Sequence, residues 1–177
     1  MPKIMKGGIE YPLPPANNAS NIAYKNGTVE SALDSLGFVG DYIRIYPSAS
    51  ENLTKSYSVL DYTALAGKRG ETFQHNSDGT VTVLRKCCAI VHASVYFGIG
   101  FTAGDWICGA IYVNGSVKVR TGDTVHAASP YKTITCTYTA LLEAGDIISV
   151  RAMNDGGARG VISNTPECSF LSVMALN

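Results

Sequence analysis

The amino-acid sequence predicts an all-β fold, a sandwich or jelly roll, and three observations support this prediction. Residues 131–140 alternate apolar and polar side chains with a period of two, and 147–153 form a second segment of the same kind. In the first segment Ile134, Cys136 and Tyr138 point one way, and the threonines between them point the other. Turn signals of Gly, Asn, Asp and Pro recur at close spacing, and long helix-period runs are absent. Roughly eight short strands separated by such turns are typical of a sandwich or jelly roll.

Composition limits the classes of partner. The 177 residues include 46% hydrophobic side chains, enough for a core, and 14 basic residues balance 14 acidic ones. This balance provides no overall field to attract nucleic acid or an anionic membrane. The sequence has no apolar run of transmembrane length and no signal-peptide core near Met1. We therefore expect a protein made in the cytoplasm, without nucleic-acid binding or membrane insertion.

Residues 1–20 are predicted to form an extended arm. The proline-rich run 12–15 excludes a helix there and favours polyproline-like geometry. The arm has too few apolar residues to fold alone, but Ile9, Tyr11 and Leu13 alternate and could anchor on another surface. We expect these three side chains to dock on a partner protein, with a free tail as the alternative.

A short helix is predicted after the arm. Thr28 is a suitable N-cap and Gly37 a suitable C-terminal stop. Val29, Leu33 and Leu36 lie on one apolar stripe. About two turns of helix are marginal alone, so the stripe must pack either on its own domain or on copies of itself. The second arrangement, a trimerisation segment, is favoured.

The strands follow in order, each supported by β-branched or alternating residues. The predicted segments are 41–46, 58–66, 80–86, 88–99, 106–113, 117–120, 131–140, 147–153 and 169–176. Hairpin turns are predicted at 76–79 and at Asn114-Gly115, the strongest short hairpin signal. A Gly-Asp turn at 143–146 predicts a hairpin between the two segments that flank it, and 67–70 and 121–123 are predicted loops.

The last predicted strand is apolar on both faces. Phe170 and Met174 would lie on one face, and Leu171 and Val173 on the other. One face of a strand in a two-sheet sandwich normally meets solvent. The surplus apolar surface therefore predicts a subunit interface.

The order of motifs over residues 71–177 resembles the C1q/TNF-like jelly roll. The motifs are Asp78-Gly79, Asn114-Gly115, the segment 142–150 around Gly145-Asp146, and 169–176. Two departures are Val81, where the family usually has an aromatic residue, and an unmatched loop before Trp106. The resemblance implies a compact homotrimer whose inner sheets meet at a three-fold axis. Axis or core candidates on that basis are Tyr96, Phe97, Tyr112, Phe170 and Met174.

A second resemblance lies in the predicted helix. The run AY-x-N-x-TVESALDSL, from Ala23 to Leu36, resembles a short helix near the N-termini of tailed-phage fibre, baseplate and head-fibre proteins. There it follows an anchoring arm and precedes an exposed domain. The implied organisation is a virion-anchoring arm at 1–20, a helix and transition segment at 21–56, and a jelly-roll knob at 57–177.

Residues that could support chemistry are sparse. The sequence lacks nucleotide-loop, nucleophile-elbow and zinc-ligand spacings. The odd number of cysteines, five, argues against a disulfide framework, and we interpret all five as small buried apolar residues. Asn154-Asp155 could offer oxygen ligands to Ca²⁺, although a solvated turn is the simpler interpretation. We predict no catalytic, cofactor-binding or metal site, and no enzyme.

The function predicted from these features is a structural protein of a phage virion, a short trimeric fibre or capsid decoration. A head fibre is favoured over a tail fibre, and the expected partner of the knob is a host-surface glycan or protein. The alternatives are a non-viral C1q/TNF-like secreted ligand or adhesin, and a small glycan hydrolase.

Overall fold

The structure is a computed structural model, and it forms two compact units, Met1–Val39 and Gly40–Asn177. All regular secondary structure in its described part is β-strand. No helix among the described residues is long and apolar enough to cross a membrane. The described residues are 3–6, 9–12, 23–24, 27–28, 40–126, 131–156, 161–162, 164 and 167–176.

The first unit contains a hairpin where the sequence predicted an extended arm. Strand β1 (Lys3–Lys6) pairs antiparallel with β2 (Ile9–Pro12), and Lys3 lies opposite Pro12. The backbones of residues 3–6 and 9–12 thus pair with each other. This pairing corrects the prediction of a single extended arm for these residues. Pro12 is compatible with a strand because it lies at the end of an edge strand.

A second short pair follows, β3 (Ala23–Tyr24) with β4 (Gly27–Thr28). Thr28, the predicted helix N-cap, is the last residue of β4. The remainder of the predicted helix lies outside the described residues, and so do four of the predicted interaction residues. These four are Leu13, Val29, Leu33 and Leu36.

The second unit is an antiparallel sandwich. Its strands are β5 (Tyr42–Tyr46), β6 (Glu51–Asn52), β7 (Ser58–Val59), β8 (Ala64–Arg69), β9 (Phe73–His75), β10 (Val81–Val83), β11 (Cys87–Phe97), β12 (Trp106–Val113), β13 (Ser116–Thr124), β14 (Lys132–Leu142), β15 (Ile147–Asn154), β16 (Val161–Ile162) and β17 (Phe170–Leu176). The sandwich starts at Gly40, before the predicted boundary at 57, because β5 is an integral strand.

The seven-stranded layer is called the front sheet here. Strand β11 is at its centre, with β14 on one side and β17 followed by β5 and β8 on the other. The short strands β16 and β6 extend the sheet beyond the end of β17. The six-stranded layer, the back sheet, runs in the order β13-β12-β15-β10-β9, and β7 also pairs with β15.

The core fills the space between the two sheets. Alternate residues of each strand point inward, which is the period of two that the sequence showed. Tyr62, Phe73 and Phe97 are its largest aromatic side chains, and the Tyr62 hydroxyl donates a 3.0 Å hydrogen bond to the Ser94 carbonyl. Its fully buried aliphatic residues include Ile43, Ile45, Val91, Val95, Ile107, Ile111, Ile148, Leu171 and Val173.

Two predicted hairpins are present and a third is not. The turn at 76–79 joins β9 to β10, and Asn114-Gly115, both with positive φ, joins β12 to β13. The turn at 143–146 instead carries the chain from the front sheet to the back sheet, since β14 pairs with β11 and β15 pairs with β12. The predicted hairpin there is corrected: a Gly-Asp turn reverses the chain without deciding whether its flanking strands pair.

Two predicted loops are also strand. Gly67 to Arg69 lie in β8, and 121–123 lie in β13. In both cases the strand is at a sheet edge, where exposed polar residues and glycine are tolerated.

Candidate functional site

The side of the front sheet that faces away from the core, called the front face here, carries a cluster of exposed apolar side chains. Tyr42, Leu141, Met174 and Leu176 expose between 37% and 61% of their surface. Their strands, β5, β14 and β17, alternate these residues with core residues. An apolar patch of this kind on a soluble domain is typical of an interaction site.

Strand register brings these side chains into two adjacent rows. In the first row Leu141 and Leu176 lie on either side of Cys88. The second row crosses four strands, and its members are Thr139, Ile90, Met174 and Tyr42. Residues opposite each other on neighbouring strands are about 5 Å apart. The rows therefore form a continuous apolar area at one end of the front face.

The centre of the front face combines aromatic and basic groups. The Phe170 ring lies 5.5 Å from the His92 ring and 4.0 Å from the guanidinium carbon of Arg44. His92 Nδ1 is 2.9 Å from the Thr137 hydroxyl. Farther along β11, Tyr96 stacks on Tyr131 with 5.9 Å between ring centroids. These contacts hold the side chains in fixed positions on the surface.

A groove of about 550 Å³ opens over β5 and β8 next to the apolar rows. Gly67 leaves room for the Tyr42 ring, because a Cβ atom there would lie 3.3 Å from the Tyr42 hydroxyl. The groove is open to solvent and mixes apolar, aromatic and charged walls, which suits a protein side chain better than an enclosed small molecule. Its lining residues are Tyr42, Arg44, Tyr46, Leu65, Ala66, Gly67 and Glu167.

Three of the five predicted axis or core candidates from the jelly-roll segment lie on the same face. Tyr96, Phe170 and Met174 are on the front face, half-buried or exposed. Tyr112 is on the outer side of the back sheet, away from them, so it is placed neither in the core nor with the other three. Tyr96 and Tyr112 both point away from the core, but β11 belongs to the front sheet and β12 to the back sheet. Phe97 is a core residue.

Several front-face residues were missed from the sequence. Tyr42, Arg44, Leu141 and Leu176 are prominent there, and His92 is near the centre. A signal existed for Tyr42, because residues 41–46 alternate clearly. No such signal existed in the sequence for Leu141. Its placement on the front face depends on the crossing of the chain between sheets after Leu142.

The cysteine prediction holds in part. All five thiols are free; Cys108 and Cys136 are buried, and Cys87 and Cys168 are half-buried. Cys88 is exposed, which corrects its interpretation as a buried residue. Its position in β11 places it on the front face rather than in the core.

The proposed calcium ligands have other partners. Asp155 accepts a 2.6 Å hydrogen bond from the Trp106 backbone N–H, and Asn154 is fully buried with its amide donating to Asp105. Among the described residues no group of three or more His, Cys, Asp or Glu side chains is placed to hold a metal ion. The Asn154-Asp155 turn thus has a structural role.

Solved structures share this fold. The crystal structure of murine APRIL at pH 5.0 has a TM-score of 0.63 and 16% identity, covering 77% of this chain and 99% of that one. The structure of Eiger TNF from S. frugiperda has the same TM-score and identity, with coverage of 78% and 92%. No protein-family model and no curated protein matches the sequence. The similarity shows that the chain has a TNF-like jelly-roll fold, as its motif order implied.

Proposed function

We propose that the chain is a homotrimeric structural protein of a tailed-phage virion, a short fibre or capsid decoration. The observation that carries the trimer is the front face, where apolar side chains are exposed on an otherwise well-packed sandwich. Its burial between copies would remove from water the surplus apolar surface of the last strand.

The front face has the features of a protein interface. Aromatic, Met and Arg side chains, which are enriched at interfaces, lie at Tyr42, Arg44, Phe170 and Met174. Exposed threonines on β14 border the apolar rows and supply a polar rim. Copies related by a closed rotation would each offer the groove over β5 and β8 to a neighbour.

The virion assignment rests on the N-terminal unit and its sequence. The run from Ala23 to Leu36 resembles the helix that follows anchoring arms in phage fibre and head-fibre proteins. Ile9 and Tyr11 lie in β2 of a separate compact unit, and with Leu13 they are the proposed docking residues. A head fibre is favoured over a tail fibre, and the sandwich unit would face the host surface.

Deleting residues 1–20 tests the docking role. The shortened chain is expected to fold and assemble but to be missing from purified phage particles, as judged by immunoblotting of the particles. The full-length chain, expressed in the same infected host, is the control. Incorporation of the shortened chain would overturn the proposed anchor.

A catalytic role is not proposed, because several of the carboxylates have structural partners. Asp78 binds Thr80, and Asp146 binds the amide of Asn114. Glu143 pairs with Lys86 at 2.6 Å. A glycoside hydrolase needs two carboxyl groups facing a cleft, so release of sugar from host polysaccharide is the assay whose positive result would revive that alternative.

The non-viral alternative is a C1q/TNF-like secreted ligand or adhesin. The TNF-like fold is compatible with it, but the resemblance at Ala23 to Leu36 favours the virion. Detection of the chain in culture medium without particles would support the alternative.

A further inference from the structure

Two arginines flank one residue on the outer side of the back sheet. Ala110 of β12 lies opposite Arg120 on β13 and opposite Arg151 on β15. Ala110 points away from the core, since Ile107 and Ile111 of the same strand point into it. Neighbouring strands are about 4.8 Å apart, so the two arginine backbones are about 10 Å apart on one surface.

Among the described residues, neither arginine forms an ion pair with an acidic side chain. The Nε atom of Arg151 is buried and lacks a hydrogen-bond partner there. Two uncompensated guanidinium groups on one small surface favour a ligand that carries negative charge.

Three aromatic rings border the arginines. The Tyr112 ring lies 4.3 Å from the guanidinium carbon of Arg151, and the Tyr57 ring lies 5.9 Å from Tyr112. The Trp106 indole lies over Gly122, in the space that a side chain at that position would occupy. All three rings are half-buried, so each keeps part of its surface open to solvent.

Tyr57 is held in place without adding negative charge. Its hydroxyl donates a 3.0 Å hydrogen bond to the Cys108 thiol and interacts with the Arg120 side chain. Burial, followed by the hydrogen bond with Cys108, raises the pKa of Tyr57 to about 12. The phenol therefore stays neutral at pH 7, and the positive charge of Arg120 stays available.

We propose that this surface, the platform of Tyr57, Trp106, Tyr112, Arg120 and Arg151, binds an acidic saccharide. A guanidinium group matches a carboxylate in shape and charge. Flat aromatic surfaces provide apolar area for the C–H faces of sugar rings, as in ligand sites where a few polar groups fix the orientation.

Nucleic acid suits the platform less well, because strand binding uses an extended basic track and this chain has no net charge. The inference deepens the proposed role at a host surface and rests on it for its biological setting. The platform belongs to the back sheet, so its ligand binding and the assembly through the front face can fail independently.

Trp106 provides a direct test, because it is the chain's one tryptophan. Intrinsic fluorescence of the full-length protein is titrated with oligogalacturonate and with oligosialic acid, and neutral dextran oligomers serve as the control. A saturable change with at least one acidic saccharide and none with dextran is expected. No response to either acidic saccharide would overturn the proposal.

Charge variants locate the binding. Arg120→Gln and Arg151→Gln are each expected to weaken binding of the responding saccharide about 10-fold, as expected for loss of a charged hydrogen bond. Lys118→Gln, an exposed charge on the same strand, is the matched control and is expected to change it less than about 2-fold. An equal loss in all three variants would mean non-specific attraction and would overturn the site.

Competing ligands and assembly are checked in the same experiment. Polyglutamate and oligothymidylate represent acidic peptides and single-stranded nucleic acid, and tighter binding of either would overturn the saccharide assignment.

Light scattering and thermal melting show whether each variant keeps its assembly and fold. Retained saccharide binding by a dissociated Met174→Asp variant would separate the platform from the front face.

Discussion

The guanidinium carbon of Arg44 lies 4.0 Å from the centre of the Phe170 ring, on the side of the front sheet that faces away from the core. A cation stacked on an aromatic face is most favourable when water is excluded from it. The pair also joins β5 to β17, which carry Tyr42 and Met174 in the neighbouring apolar row. The contact therefore holds Arg44 and Phe170 together on the surface that we propose as the interface between copies.

A buried charge on the front face should prevent assembly. Met174→Asp is expected to give a folded monomer, because assembly would bury an unpaired carboxylate. Phe170→Asp is the weaker test, because its carboxylate would lie beside Arg44. Leu84→Asp is a matched control, since Leu84 is 42% exposed and Met174 is 48% exposed, but Leu84 lies outside the front face. Size-exclusion chromatography checks both. An intact trimer of Met174→Asp would show that β17 is not at the interface.

The exposed thiol of Cys88 gives an independent report on the same surface. It lies between Leu141 and Leu176 in the first apolar row. Reaction with a thiol reagent is expected to be slow in the assembled protein and at least about 10-fold faster in the Met174→Asp monomer, because reactivity requires access to the thiolate. A Cys88→Ser variant shows which part of the labelling comes from Cys88, because that part is lost in the variant. Equal rates in the two proteins would contradict burial of the front face.

Gly79 is expected to be sensitive to substitution. Its φ is 78°, and a Cβ atom there would lie 2.6 Å from the Tyr62 backbone nitrogen. Gly79→Ala is expected to lower the free energy of unfolding by about 2–3 kcal/mol. Gly115→Ala is the control, with φ of 74° but open space around it, and should cost about 1 kcal/mol. Urea denaturation measures both, and equal losses would exclude a clash at Gly79.

Acid is expected to weaken the start of the sandwich through Asp41. Its carboxylate accepts hydrogen bonds from the Thr72 hydroxyl and from the backbone N–H groups of Glu71 and Thr72. The Thr72 hydroxyl bond is the main cause that lowers the pKa of Asp41. Because the pKa of Asp41 is lower in the folded state, its carboxylate stabilises the fold at pH values above the unfolded-state pKa of about 3.9. This stabilisation is lost as the pH falls through the folded-state pKa.

The Asp41→Asn variant tests that contribution. It should be less stable than the native chain at pH 6, and the difference should shrink as pH falls below about 4. Thermal melting at several pH values measures this difference. A difference that is constant with pH would mean that the Asp41 charge is not involved.

Local patterns accounted for much of the fold. The alternation in β5 and β14 identified both strands, because a half-buried strand must repeat every two residues. The Asn114-Gly115 signal identified its hairpin for the same local reason, since both residues adopt positive φ. The order of these motifs was also enough to identify the TNF-like jelly roll.

What failed depended on non-local pairing. The turn after Leu142 looks the same in sequence whether β14 and β15 pair or cross between sheets. The outward faces of β11 and β12 are both mixed in polarity, so sequence could not assign Tyr96 and Tyr112 to different sheets. The platform on the back sheet was missed because register alone brings Arg120 and Arg151 beside Ala110.

The solution mass of the purified chain tests the central claim most directly. Light scattering across a hundredfold range of concentration is expected to give three times the chain mass of 18.8 kDa at every point. The apolar rows of the front face would then be buried between copies. A concentration-independent mass of 18.8 kDa would contradict assembly through the front face and remove the basis for a trimeric fibre.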